Sequence, residues 1–65
     1  MSDPTPNLKL RNEIFLKAWT QKDLAEKTGI SEAYISRFIN GYMVPTADQR
    51  KAIAAALRVA EGKVF

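Results

Sequence analysis

A helix stop and a helix start stand side by side in the middle of this chain. Gly29 suits a stop, because a residue without a Cβ enters the left-handed conformation freely. Ser31 suits a start, because its hydroxyl can accept a bond from an unpaired amide of a first turn. Only Ile30 lies between them. Two helices joined by so short a link form a helix-turn-helix. Short turns occur in many small helical domains, so this spacing alone marks a motif and not yet a function.

The same punctuation recurs along the chain. Leu8, Arg11 and Phe15, and beside them Leu10, Ile14 and Ala18, step by three and four residues, which predicts a first helix over 8–18. Thr20 then caps a second helix, with Asp23 at the capping-box position and Trp19 and Leu24 placed as a hydrophobic staple. Ile30 and Ile35 bracket Ser31 in the same way, and the third helix ends at Asn40-Gly41. Thr46, after Pro45 and with Gln49 at the box position, opens a fourth helix that runs through alanines to about Arg58. A last turn near 61–65 folds back through Val64 and Phe65. No apolar/polar alternation of strand length occurs, so the class is all-α.

Composition narrows the function. Sixty-five residues allow one small domain, 8–65, preceded by a flexible arm, 1–7, with Pro4 and Pro6 in it. The chain contains neither Cys nor His. That excludes thiolate–imidazole metal sites, a Cys nucleophile and a His general base. The remaining Ser, Asp and Glu show no catalytic spacing, and a bundle this small is expected to lack a pocket of the usual ~300–1,000 Å³. We therefore expect no enzyme activity, no metal, no cofactor and no small-molecule substrate. No apolar run approaches the ~20 residues of a membrane span, and the start resembles no signal peptide. A small chain without disulfides suits a reducing, cytoplasmic setting. The net charge is +3 with a pI near 9.5, which is compatible with nucleic acid. The excess lies elsewhere than the motif, however: Lys22, Lys27 and Arg37 are matched there by Asp23, Glu26 and Glu32.

Thr20-Gln21-Lys22-Asp23-Leu24-Ala25-Glu26-Lys27-Thr28-Gly29-Ile30-Ser31, then Tyr34-Ile35-Ser36-Arg37, Asn40-Gly41 and Pro45-Thr46, closely resembles the lambda-repressor-like (Cro/XRE) DNA-binding domains. The likeness covers about 8–60 and is strongest over 20–46. It implies a compact bundle of four or five helices, with the third, about 31–40, in the major groove of double-stranded DNA. It further implies a bacterial or phage transcriptional regulator, a repressor, bound as a homodimer to two half-sites about one helical turn apart.

The residues supply physical reasons for that reading. Leu24 and Ala25 face the core, and Ile35, Phe38 and Ile39 share one face of the third helix. The opposite face carries Ala33, Ser36, Arg37 and Asn40, flanked by Glu32 and Tyr34. It is short and polar, as a groove about 12 Å wide requires. Base contacts are expected from Arg37 to guanine, Ala33 to a thymine methyl, Ser36 to a base edge and Glu32 to cytosine N4. Glu32 equally suits the start of a helix dipole. Phosphate contacts are expected at Thr20 and Gln21, which open the second helix, at the Tyr34 hydroxyl, and at Asn40, Gly41 and Tyr42 through backbone amides and the Asn40 side chain. Plainer roles compete: a cap for Thr20, a solvated or Glu32-paired Arg37, a core-flanking Tyr34, and packing on the fourth helix for Tyr42.

Four departures from the family pattern matter. Ile14 and Ile39 stand where many relatives carry a buried Arg–Glu pair, so the two are expected to touch. Tyr42-Met43-Val44 follows Asn-Gly where relatives often have Lys or Arg. Arg50 and Lys51 occupy places that are often apolar and read as solvated. Arg58 replaces a common glycine, which leaves the end of the fourth helix open. A dimer would use Leu57–Phe65, the Leu16 region or Tyr42–Val44. The alternative to DNA binding is a protein-interaction module, which exposure of Leu16, Tyr42, Met43 or Val44 would favour. Ile39→Glu, an unpaired buried charge, is expected to lose about 3–5 kcal/mol, read by chemical denaturation; an unchanged melting temperature would refute this register.

Overall fold

The computed structural model describes residues 5–65, which form five helices: α1 (Leu8–Leu16), α2 (Gln21–Thr28), α3 (Glu32–Asn40), α4 (Ala47–Leu57) and α5 (Glu61–Val64). Residues 1–4 of the expected arm lie outside the described residues. Asn7, the last residue of that arm, is bonded in three directions. Its Oδ1 accepts from the Leu10 amide at 3.0 Å and so caps α1. Its Nδ2 donates to the Val64 carbonyl at 2.7 Å, and its backbone N–H donates to the Ile39 carbonyl at 2.7 Å.

The first four helices each end on a residue in the left-handed region. Gly29 (φ 73°) and Gly41 (φ 81°) do so without a Cβ penalty, whereas Ala18 (φ 57°) and Arg58 (φ 58°) do so with one. After α1 the Ala18 amide donates to the Phe15 carbonyl and the Trp19 amide to the Ile14 carbonyl. This Schellman geometry ends α1 at Leu16 and not at residue 18 as the periodicity predicts. The turn returns Trp19 to the edge of the core, where it packs. The same pair of bonds at Arg58 and Val59 stops α4 at Leu57. Gly41 has a second reason to be glycine: the Thr5 backbone occupies the place a Cβ would take.

Leu10, Leu24, Ile35, Ile53, Leu57 and Val64 are fully buried, and Ile14, Phe38, Ile39 and Ala54 complete the core. Each large side chain there contributes roughly 1.5–3 kcal/mol by leaving water. Two ion pairs clamp α5. Lys63 lies 3.3 Å from Glu13, which is buried on α1, and Arg50 lies 3.3 Å from Glu61. Arg50 also donates to the Pro45 carbonyl at 3.2 Å. The expectation of a solvated Arg50 is thereby corrected: it braces the α3–α4 loop against α5, while Lys51 is exposed.

Ala18→Gly and Arg58→Gly should each raise stability by about 1 kcal/mol, by removing a Cβ from the left-handed region. A rise in Tm of roughly 4–8 °C is the corresponding reading in a domain of this size. Gly41→Ala should do the reverse, and more severely, because Thr5 blocks the new methyl.

Candidate nucleic-acid interface

The interface begins at the start of α2, where the sequence sets a capping box. The Thr20 hydroxyl accepts from the Asp23 amide at 3.1 Å, and the Asp23 carboxylate accepts from the Thr20 amide at 2.8 Å. Thr20 is therefore the cap, as one of its two expected roles required. Among the described residues no partner takes the Gln21 or Lys22 amides, which leaves two donors facing outward. The Thr20 backbone N–H holds the Asp23 carboxyl below its usual range; partial burial opposes this, and the Thr20 hydroxyl, Lys27 and Lys22 reinforce it. A fixed negative charge thus sits beside the two free donors.

The turn is braced by a residue the sequence reading passed over. Thr28 Oγ1 donates to the Leu24 carbonyl at 2.8 Å and accepts from the Ile30 amide at 3.2 Å. Gly29 then reverses the chain. Ser31 takes the N-cap position of α3 but makes no side-chain cap bond. That corrects the expected cap, and the exposed Ser31 hydroxyl is left unused.

The outward side of α3 is arranged as its sequence implies. Ile35, Phe38 and Ile39 are buried; Glu32, Ala33, Tyr34, Arg37 and Asn40 are exposed, and Ser36 is half-buried. The guanidinium of Arg37 lies 5.9 Å from the Tyr34 ring centroid. It forms no ion pair with Glu32, so that alternative is not realised. Tyr34 in turn tilts against Phe38, with ring centroids 6.4 Å apart. Asn40 turns its amide back on its own helix and donates to the Ser36 carbonyl at 2.9 Å. The Gly41 and Tyr42 amides close the end of α3, on the Phe38 and Arg37 carbonyls. The amide route to phosphate expected at those two residues is accordingly occupied within the chain. The Tyr42 side chain remains 73% exposed.

A small cleft of about 240 Å³ brings Thr20 and Gln21 beside Ile14 and Ile39, together with Arg11 and Phe15. The two isoleucines are both buried there. Arg11 adds a cation on the flank of the α2 start; no sequence spacing relates positions 11 and 21, so it went unrecognised. A larger groove of about 650 Å³ lies among Thr5, Phe38, Met43, Val44, Pro45 and Phe65. It overturns the expectation that no space of that size exists. The incoming segment at Thr5 and the final turn wall a trough that neither helix pair fills. Its charged groups among the described residues, Arg50 and Glu61, are paired with each other. Among the described residues no cluster of acidic side chains could hold a metal ion, and no helix is long and apolar enough to cross a membrane.

The capping box makes a pH prediction. A carboxyl whose folded value is depressed contributes stability in full above its ordinary value of 3.8 and loses it as pH falls through the folded value. Asp23→Asn should therefore flatten the acid limb of the stability–pH curve below that value. Thr20→Ala should cost about 1 kcal/mol at neutral pH. Thermal melts across pH, with wild type in parallel, measure both.

Comparison with known proteins agrees with this geometry. The restriction-modification controller protein C.AhdI from Aeromonas hydrophila superposes with a TM-score of 0.86 at 22% identity, covering 91% of this chain and 89% of that one. No curated protein matches the chain. The helix-turn-helix family matches residues 8–64. Five helices, a glycine-hinged α2–α3 pair and a polar outer face on α3 accompany a family match over nearly the whole chain: the protein belongs to the helix-turn-helix family, in its lambda-repressor-like (Cro/XRE) branch.

Proposed function

We propose that the chain is a small bacterial or phage transcriptional regulator that binds double-stranded DNA by sequence, with α3 in the major groove. The observation that carries this reading is Arg37. It stands exposed on the outer face of α3, with no carboxylate partner among the described residues. A free guanidinium there suits the O6 and N7 of guanine. Ala33, Ser36 and Glu32 complete the base-reading set, and the unused Ser31 hydroxyl joins it. Gln21, with its free amide, and Thr20 hold one phosphate; the hydroxyls of Tyr34 and Tyr42, with Asn40 and Gly41 at the end of α3, border the backbone on the other side. The protein acts in the cytoplasm without catalysis or cofactor, as a repressor that occupies its operator.

Two copies are needed for a two-half-site operator. Of the three surfaces open to them, Leu57–Phe65 is the weakest, since Leu57 and Val64 are fully buried. The Leu16 region is exposed, but its charged groups on α1, Lys9 and Arg11, are cations that two copies would bring together. Tyr42–Val44 fits best. Val44, 82% exposed, projects beside the apolar groove of Phe38, Met43, Pro45 and Phe65. A projection next to a trough is self-complementary about a two-fold axis, because each copy can fill the other.

Selection from genomic DNA fragments, followed by titrations at several salt concentrations, tests the reading. One sequence should be enriched, and the log–log salt slope should be shallow and negative, because residues 20–42 are neutral. Arg37→Ala should relax one base position at a cost of about 1–3 kcal/mol, and Gln21→Ala should weaken all sequences alike. Val44→Glu should give a monomer by sedimentation and lose cooperative operator binding. Failure to enrich any sequence would sink the proposal.

A further inference from the structure

α1 carries two stripes, and only one is used by the fold. Leu10, Glu13 and Ile14 are buried, with Lys17 half-buried one turn later. Leu8, Arg11, Asn12 and Phe15 form the other stripe, at the same three- and four-residue steps, and border a shallow cleft of about 470 Å³. Leu8 is 65%, Phe15 77% and the adjoining Leu16 65% exposed. In so small a domain, three large apolar groups clustered on one helix mark a binding surface. Their charged neighbours are all of one sign. Lys9 and Arg11 stand beside them on α1, and that helix's only acid, Glu13, is buried and held by Lys63 at 3.3 Å.

Charge selects the occupant. A second copy packed antiparallel on this stripe would set Leu8 against Phe15, and the two-fold axis between Arg11 and Asn12 would bring the two Arg11 guanidinia together. Phosphate would satisfy the cations and leave three apolar side chains uncovered. We propose that the outer face of α1 docks an acidic amphipathic helix of another protein. Its apolar side chains, at i, i+3 or i+4, and i+7, seat against Leu8 and Phe15. Its carboxylates face Lys9 and Arg11. The nine residues of α1 offer about 14 Å of ridge, enough for such a set of anchors. This goes beyond the DNA reading and uses neither the outer face of α3 nor Val44.

The test uses the whole chain and a labelled synthetic peptide of about four helical turns. The peptide carries Leu and Phe on one face and Glu elsewhere; a twin carries Lys in place of Glu. The acidic peptide should bind saturably, more weakly as salt rises, and the basic twin should not bind. Leu8→Ala and Phe15→Ala should each weaken binding about tenfold, as truncation of an anchor does. Both side chains are exposed, so helicity and solution mass should be unchanged, and in Leu8→Ala, away from the cleft at the start of α2, DNA affinity should stay within about twofold. Equal binding of the basic twin, no saturation, or no effect of Phe15→Ala would overturn the proposal. A loss of dimer in either variant would reassign the face to a second copy, a tenfold loss of DNA affinity in Leu8→Ala would reassign it to DNA, and Phe15-dependent binding to anionic phospholipid vesicles to a membrane. Each of these refutes the acidic helix while leaving the DNA titrations free to stand or fall separately.

Discussion

One amide side chain near the start of the chain closes the bundle. Asn7 joins the first turn of α1, the Ile39 carbonyl at the end of α3 and the Val64 carbonyl at the end of α5. Each of those groups would otherwise be an orphan at a helix terminus, and a buried orphan costs about 1–3 kcal/mol. α5 has four residues, far too few to be helical alone. It persists because Asn7, the two ion pairs and the buried Val64 fix it from three sides. Thr5, just ahead of Asn7, then lies where a side chain at position 41 would stand. The entry of the chain, the end of α3 and the final turn are therefore one packing unit. Gly41, the residue that ends α3, is thus constrained by one more than thirty positions earlier.

What could be read in advance was local. Thr20–Asp23 and Thr46–Gln49 form the two capping boxes that their spacing indicates. Gly29 and Gly41 are the left-handed stops, and the buried face of α3 consists of the residues its periodicity selects. Local signals fail where two answers satisfy the same pattern. α1 has one apolar stripe through Leu8 and Phe15 and another through Leu10 and Ile14, and periodicity ranks neither. The choice falls on Leu10–Ile14 because that stripe faces Val64 and Ile39, which lie far away in sequence. The end of α1 fails for the same reason, since Ala18 extends the pattern while Trp19 is needed at the core. Arg50 reads as solvated because its partners, Glu61 and the Pro45 carbonyl, are visible only in three dimensions. Ser31 shows the limit of a capping preference: the position is right, yet the hydroxyl makes no cap bond.

The site is electrostatically plain, and this shapes how it would work. Asp23 stands beside the free donors of α2, and the amides after α3 are spent on their own helix. The family's usual basic residues after Asn-Gly are replaced by Tyr42, Met43 and Val44. Little is left to attract phosphate without regard to sequence. On the proposed reading, weak sequence-independent binding raises the ratio of specific to non-specific affinity, at the expense of overall affinity. A second copy restores what one copy lacks. On the same reading, the departure that removes cations after α3 also supplies Val44 as the apolar projection that two copies would share.

The same reasoning separates the surfaces of the molecule by chemistry. A chain this short buries only about 60% of its extended surface, so some apolar exposure is unavoidable. Isolated exposed residues would need no further account. Here the exposure is grouped. Val44 lines a groove whose charged groups among the described residues, Arg50 and Glu61, are paired with each other, and on the proposed reading that neutrality permits a copy of itself. Leu8, Phe15 and Leu16 sit beside Lys9 and Arg11 with no exposed carboxylate on α1 to answer them, and on the proposed reading that imbalance selects an acidic partner. The outer face of α3 has one free guanidinium and few apolar groups, which suits bases. Both of the first two surfaces expose large apolar side chains, and on the proposed readings the charges around them distinguish their occupants.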